Sequence, residues 1–380
     1  MNNMKLLDCI EIVGSSCPKY NGVKNYVSTG AVSDNTIDSN QVETYLFEDK
    51  PSRANLVVTK GCVLFAKMME TKKTLIINEE LQENIYSTGF YAVRPKEAIL
   101  NEYILYYLLS SQLFLKLKDK NCTGATQKAI SNSGLNKISI NIPTIDEQKK
   151  LVPLLKSLNK TIELKTNQIK ALDNIVKSRF VELFGDPRIN PLGYDTKELG
   201  KTCTVITGNT PSRKVPEYYG DYMEWIKTDN IVSGVLNPTE AAECLSESGV
   251  NEGRCVDENA ILMACIAGSI ASIGRVCVTD RRVAFNQQIN AIVPGEYNTL
   301  FLYILLQISK DYLVEDINMA LKGILSKSKL EEKVFIVPPM ELQNQFADFA
   351  KQVDKSKFVI QKSLDETQNL FDSLMQEYFG

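Results

Sequence analysis

From Leu151 the chain places Leu155, Leu158, Ile162, Lys165, Ile169, Leu172, Val176, Arg179 and Leu183 at alternating steps of four and three. This mostly apolar seam runs for more than four heptads, the spacing of a coiled coil. Thr144-x-x-Glu147 after Pro143 forms a capping box, and Gly185-Asp186-Pro187 closes the run. One long helix is predicted over residues 144–185. Pro153 is expected to weaken or kink its early turns.

The same pattern returns. Sliding the chain on itself by 195 residues aligns 142–185 with 337–380 without a gap. Identities fall at Pro143/Pro338, Gln148/Gln343, Lys156/Lys351, Lys160/Lys355, Asn174/Asn369, Ser178/Ser373, Glu182/Glu377, Phe184/Phe379 and Gly185/Gly380. Just upstream, Ser131/Ser326, Ser133/Ser328 and Leu135/Leu330 match as well. The second seam is Phe346, Ala350, Val353, Lys357, Ile360, Leu364, Thr367, Phe371, Leu374 and Tyr378. Lys165 and Arg179 interrupt the first seam where the second has Ile360 and Leu374. The helices are therefore expected to pair, the polar residue of one against the apolar residue of the other.

Connectivity gives their direction. A helix of about 40 residues is about 60 Å long, at roughly 1.5 Å per residue. A parallel pair would oblige the segment between the helices to travel back that distance. Antiparallel pairing is predicted instead, with residues 186–336 at one end and 1–141 at the other. The chain then divides into a domain at 1–143, a helix at 144–185, a linker at 186–195, a domain at 196–337 and a helix at 338–380.

The two domains share a weaker pattern. Each has a central apolar stretch, "GCVLFAKMM" at 61–69 and "NAILMACIAGSIASIGRVCV" at 259–278. Each continues into an extended segment and a helix rich in Leu and Tyr, at 88–110 and 286–307. Each closes on a small polar loop, "TGATQKAISNSGL" at 123–135 and "MALKGILSKSKL" at 319–330. The expected fold is mixed α/β, of the α+β kind: short strands with Gly and Pro turns, and a pseudo-two-fold repeat separated by antiparallel coiled-coil helices.

Candidate chemistry gathers in "TGNTPSRKVPEYYGDYMEWIKTDNI", 207–231. Thr207, Gly208, Asn209, Thr210, Ser212, Arg213, Lys214, Lys227 and Thr228 bring hydroxyls, cations and exposed backbone, which contacts to phosphates and base edges require. Tyr218, Tyr219 and Trp225 read instead as the buried core of a turn-rich loop. In the first domain "CPKYNGVKNYVSTGAV", 17–32, is the nearest counterpart and offers Lys19, Tyr20, Lys24 and Tyr26. The pre-helix loops add Gly124, Thr126, Gln127 and Lys128, and Lys322 in the second.

"TGNTPS…YYGD…WIKTDNI", "GATQKAI" and the helix starts "IP…DEQ" and "VPP.ELQ" resemble the DNA-specificity subunit of type I restriction-modification systems. The resemblance spans essentially the whole chain, in the order recognition domain, helix, recognition domain, helix. It departs in two places: the first domain lacks a clear "TGNTPS…WIKTD", and "MALKGIL" lacks the Thr-Gln of "GATQKAI". The resemblance implies a non-catalytic subunit whose two domains each read half of a bipartite double-stranded DNA site, with the coiled coil fixing the gap. It also implies two methyltransferase subunits using S-adenosylmethionine and restriction subunits using ATP and Mg, cofactors that belong to those partners. Lys156, Lys160, Lys351 and Lys355, at equivalent outward places, are candidates for a two-fold partner platform.

Composition narrows the alternatives. The 380 residues include no histidine, which removes the usual general base and the commonest zinc ligand. No P-loop, dinucleotide fingerprint or [DNS]-P-P-[YFW] motif is found, so a fused methyltransferase is disfavoured. Nine cysteines without a C-x-x-C pair read as reduced packing residues of a cytoplasmic protein. The opening "MNNMKLLDCIEIVG" does not read as a signal peptide, and no apolar run has membrane length, so neither export nor a membrane is expected. Residues 1–143 hold 16 Lys and Arg against 14 acids, whereas 196–337 hold 14 against 18. Neither domain is basic, so counterion release by this chain alone should be modest. That suits a sequence reader held on DNA by larger partners. A protein–protein scaffold without DNA is the other reading.

Overall fold

A computed structural model describes residues 2–33, 35–125, 127–315, 317 and 323–380. The chain forms two compact units: Met1–Asn167 with Gln361–Gly380, and Gln168–Ile360. Each unit therefore takes one of the two sheet-bearing domains and part of each long helix.

In the first unit, a four-stranded antiparallel sheet has the order Thr74–Ile76, Val63–Ala66, Phe90–Pro95, Ile10–Val13. The second unit repeats it as Val276–Val278, Ile261–Ala264, Ile289–Pro294, Cys203–Thr207. The apolar run at the centre of each domain is the second strand of this sheet, buried on both faces. Successive strand side chains point to opposite faces. Val63 and Phe65 thus enter a core with the helices, while Leu64 and Ala66 enter a second core on the other side. Ile261 and Met263, against Leu262 and Ala264, divide in the same way.

A five-stranded sheet follows in each unit, and its middle carries a parallel pair. Lys24–Val27 runs parallel to Ile85–Ser87, and Met223–Ile226 runs parallel to Val283–Phe285. The flanking antiparallel strands correspond too: Ala54–Val57 with Cys255–Val256, and Glu43–Tyr45 with Cys244–Leu245. Only the fifth strand differs, Ser15–Ser16 in one unit and Tyr219–Gly220 in the other. A two-stranded ribbon joins the start of each domain to its last strand, Asn2–Lys5 with Ser139–Ile142 and Thr196–Glu198 with Val334–Ile336.

Both long helices have 40 residues, Ile145–Phe184 and Met340–Phe379. The first starts on its capping box, with Thr144 N–H donating to Glu147 Oε2 at 2.8 Å and Glu147 N–H to Thr144 Oγ1 at 3.3 Å. It continues through Pro153, whose ring is exposed, so the carbonyl freed by the missing N–H lies on the wet side. The repeated glutamines explain themselves. Gln148, fully buried, donates to the carbonyls of Pro143 and Ala98 and accepts from Leu100 N–H at 2.7 Å. Gln343 donates to Pro338 and Glu296 and accepts from Asn298 N–H at 2.9 Å.

Every seam position named above is buried or half-buried. In the first unit Leu151 and Leu155, near the start of one helix, share a core with Phe371, Met375 and Phe379, at the end of the other. In the second unit Phe180 and Phe184 pack on Phe346 with ring centroids 5.4 and 5.6 Å apart. The helices are antiparallel in both. The polar interruptions, however, do not meet apolar residues. Lys165 donates to Ser363 Oγ, Ser363 O and Thr367 Oγ1, Lys357 pairs with Asp173 at 2.6 Å, and Arg179 turns to Glu182 on its own helix. Antiparallel pairing turns repeat-equivalent residues away from one another, and a half-buried ammonium needs oxygen partners.

The repeated Phe-Gly closes each helix into a domain core. Phe184 is 0% exposed beside Phe301, and Phe379 is 1% exposed in the first unit's core. Gly185 turns the chain with φ +70, and a Cβ there would collide with the ring of Pro191.

Candidate nucleic-acid interface

The loop that leaves the edge strand Cys203–Thr207 is built from its own polar residues. Thr207 Oγ1 donates to Asn290 Oδ1 at 2.8 Å, and Thr210 Oγ1 to Gln287 Oε1. Gly208 is buried, and a Cβ there would run into the carbonyl oxygens of Phe285 and Asn286, so only glycine fits. Asn209 donates to Glu252 O at 2.7 Å, accepts from Arg254 N–H at 2.8 Å, and its carbonyl takes the Trp225 indole N–H at 3.3 Å. These residues shape the loop. Gly208 is buried, and half-exposed Asn209 spends its side chain and its carbonyl on bonds that hold the course of the loop.

Ser212, Arg213 and Lys214 stand exposed beyond it. Arg213 lies over Tyr219 and Trp225, its guanidinium carbon 4.2 and 5.2 Å from the ring centroids. Tyr219 is pinned by its hydroxyl to Pro211 O at 2.6 Å, and Trp225 is 3% exposed. The reading of Trp225 as core is correct. Arg213 Nη1 and Nη2 donate to Glu243 Oε1 and Oε2 at 3.2 and 2.8 Å, a bidentate pair. Lys227 Nζ donates to the same carboxylate and sits 5.1 Å from the Trp225 ring. Bonded by Arg213 first and Lys227 second, the Glu243 carboxyl is pushed down to about 2. Thr228 is half-buried, and its carbonyl accepts from Arg275 at 3.1 Å.

Glu243 had no local signal in the sequence. It reaches the site because Cys244–Leu245 pairs antiparallel with Met223–Ile226, which brings Trp225 N–H to Glu243 O at 3.0 Å. Only the strand register could have revealed it.

In the first unit, Lys24–Val27 stands where Met223–Ile226 stands in the second, so 17–32 is the counterpart of 207–231. Ile85 pairs with Tyr26 as Ala284 pairs with Trp225. Tyr26 is accordingly buried at 6% exposure, a core residue and not the surface contact considered for it. Lys19 is exposed; Tyr20 donates to Tyr45 O at 3.0 Å, with Lys24 Nζ 5.8 Å from its ring. Among the described residues Lys19 and Lys24 have no ion-pair partner.

Gly124, Gln127 and Lys128 are exposed on the hairpin between Cys122–Thr123 and Ala129–Ile130, and Gly124 has φ +135. Thr126 lies outside the described residues, as does Lys322. Both pre-helix loops dock alike: Ile130 N–H donates to Lys67 O at 2.9 Å, and Leu325 N–H to Cys265 O at 2.8 Å. The first also rests on an unforeseen residue. Lys118, 1% exposed, donates to Met68 O at 2.6 Å and Thr71 O at 2.8 Å and so holds the turn beneath the hairpin.

The four helix lysines are all exposed. Lys156 and Lys160 line a groove of the first unit with Tyr103 and Pro153, and Lys351 lines a cavity of about 310 Å³ in the second. Among the described residues Lys355 has no ion-pair partner, and no cluster of acids and cysteines could hold a metal ion. No described helix is long and apolar enough to cross a membrane.

Residues 1–174 and 191–367 each match the type I restriction modification DNA specificity domain. The chain belongs to that family. The specificity subunit of the type I restriction enzyme HindI from Haemophilus influenzae is 23% identical over 359 aligned residues, covering 74% of this chain and 76% of that protein. The MjaIX specificity subunit from Methanocaldococcus jannaschii is 23% identical over 343 residues, covering 84% and 77%. The crystal structure of a type I restriction-modification S subunit from M. genitalium superposes with a TM-score of 0.52 at 13% identity, over 100% of this chain and 96% of that one. The specificity domain occurs twice here, and each copy carries one of the duplicated sheet pairs.

Proposed function

We propose that each specificity domain reads one half of a bipartite, asymmetric double-stranded DNA site in the cytoplasm, and that the long helices set the gap between the halves. The observation that carries this reading is a common scaffold with unlike loops. The two units share strand order and parallel pairing, yet the equivalent surface is Lys19, Tyr20 and Lys24 in one and Arg213, Lys214 and Lys227 in the other. Direct readout depends on side chains at base edges, so unlike loops on like scaffolds imply unlike half-sites. The outward lysines of the helices would receive two methyltransferase subunits, which hold S-adenosylmethionine, and through them restriction subunits that use ATP and Mg. The chain itself supplies recognition and no catalytic group.

Exchanging residues 196–337 for the same domain of a relative, in cells that also express a cognate methyltransferase, tests it. Methylome sequencing should find one half-site changed and the other retained. Methylated sites altered in both halves would contradict independent reading. Absence of DNA binding by the assembled complex would favour a protein–protein scaffold.

A further inference from the structure

Two cations of the second unit, exposed Arg213 and half-buried Lys227, share one carboxylate, and that carboxylate is fixed from behind. Glu243 is held through its own carbonyl by Trp225 N–H at 3.0 Å, while Trp225 and Tyr219 form the floor on which Arg213 lies. Lys214 next door has no ion-pair partner among the described residues. The clamp thus takes Arg213 and leaves its sequence neighbour unpaired.

Its effect on DNA follows from counting charge. Non-specific affinity grows with the number of phosphates that free cations neutralise. With Glu243 in place, Arg213 and Lys227 together present one net positive charge where they would otherwise present two. A phosphate can take either cation fully only by displacing the carboxylate. A base edge is different: Arg213 has five N–H donors, and the Glu243 pair leaves others in a fixed plane, ready for a directional contact that keeps the clamp intact. We infer that Glu243 is a specificity-determining residue that withholds Arg213 and Lys227 from indiscriminate phosphate contact and holds Arg213 for directional readout. This rests on the proposal that the loop faces DNA.

The test uses the full-length chain and a duplex of random sequence, titrated with salt. Glu243→Gln keeps the side chain's size and shape but removes its charge and turns one of its two acceptor oxygens into an NH2 donor, so the two-oxygen grip on Arg213 and Lys227 is lost. The expected result is tighter binding to the random duplex, with the salt slope steeper by about one for each cation released. The double variant Arg213→Ala/Lys227→Ala is the control, and Trp225 emission, from the chain's single tryptophan, reports that the loop is folded. If the double variant binds more weakly while Glu243→Gln binds no more tightly than wild type, the inference is overturned and the DNA reading stands. If neither variant changes binding, this loop does not face DNA and both fall.

Discussion

Lys165 donates to Ser363 Oγ at 2.7 Å, joining the two long helices through a residue that breaks the apolar seam. The ammonium also reaches Thr367 Oγ1 at 2.8 Å and the Ser363 carbonyl at 2.9 Å, so its three protons are all engaged. Hydrogen bonds to a charged group contribute about 1.5–3 kcal/mol. Lys165→Ala should lower stability by about that amount. A urea-unfolding cycle with Ser363→Ala should show coupling, because the two share one network. Strictly additive losses would mean that the lysine is only solvated.

The paired glutamines make a second prediction. Gln148→Ala leaves Leu100 N–H without its acceptor and the carbonyls of Ala98 and Pro143 without their donor. Each orphaned buried group costs about 1–3 kcal/mol. Gln343→Ala should do the same around Asn298, more mildly, since its contact to Glu296 O is already 3.4 Å. Hydrogen exchange should speed at Leu100 in one variant and at Asn298 in the other. Unchanged protection at both amides would remove the glutamines from the account of why the repeat keeps them.

How much of this the sequence disclosed depended on the range of the contacts. A gapless helix repeat is local, so the seams, the capping box and the Phe-Gly stops could all be read from spacing. The facing of Lys165 could not, because its partners lie about 200 residues away and antiparallel geometry sets it against Ser363 and Thr367 rather than near its repeat-mate Ile360. The likeness of 17–32 to 207–231 was hidden by substitution: Tyr26 fills the place of Trp225, and both are core. Glu243 was invisible for the same reason as any cross-strand partner, since only register brings it to Arg213.

The clamp should titrate in acid. Its bonds to Arg213 and Lys227 hold Glu243 down to about 2, against an ordinary value of 4.5. A depressed carboxyl contributes stability that is fully present above the ordinary value and lost as pH falls through the depressed one. Trp225 emission should therefore change near pH 2 in the native chain. Arg213→Ala removes the larger cause, so the change should move up toward pH 4.5, with circular dichroism showing that the sheets persist. A transition that stays put would assign the depression to Lys227 instead.

The helices as a ruler give the last prediction, and the Lys165 contact dictates how to make the variant. Removing residues 162–168 deletes Lys165, and removing 362–368 deletes Ser363 and Thr367, its acceptors. Seven residues out of each helix preserve both seams. Taking out the segments that share this network leaves no ammonium without oxygen partners. Each helix shortens by about 10 Å, at roughly 1.5 Å per residue. With duplex DNA rising about 3.4 Å per base pair, the gap between half-sites should contract by about three base pairs. The half-sites would also turn relative to each other by roughly a quarter to a third of a turn, given about 10.5 base pairs per turn. Lower activity is therefore expected whether or not the helices measure DNA. The deciding quantity is the spacing among sites that are still methylated. Spacing shortened by about three base pairs supports the ruler, and native spacing in a folded, active variant removes it.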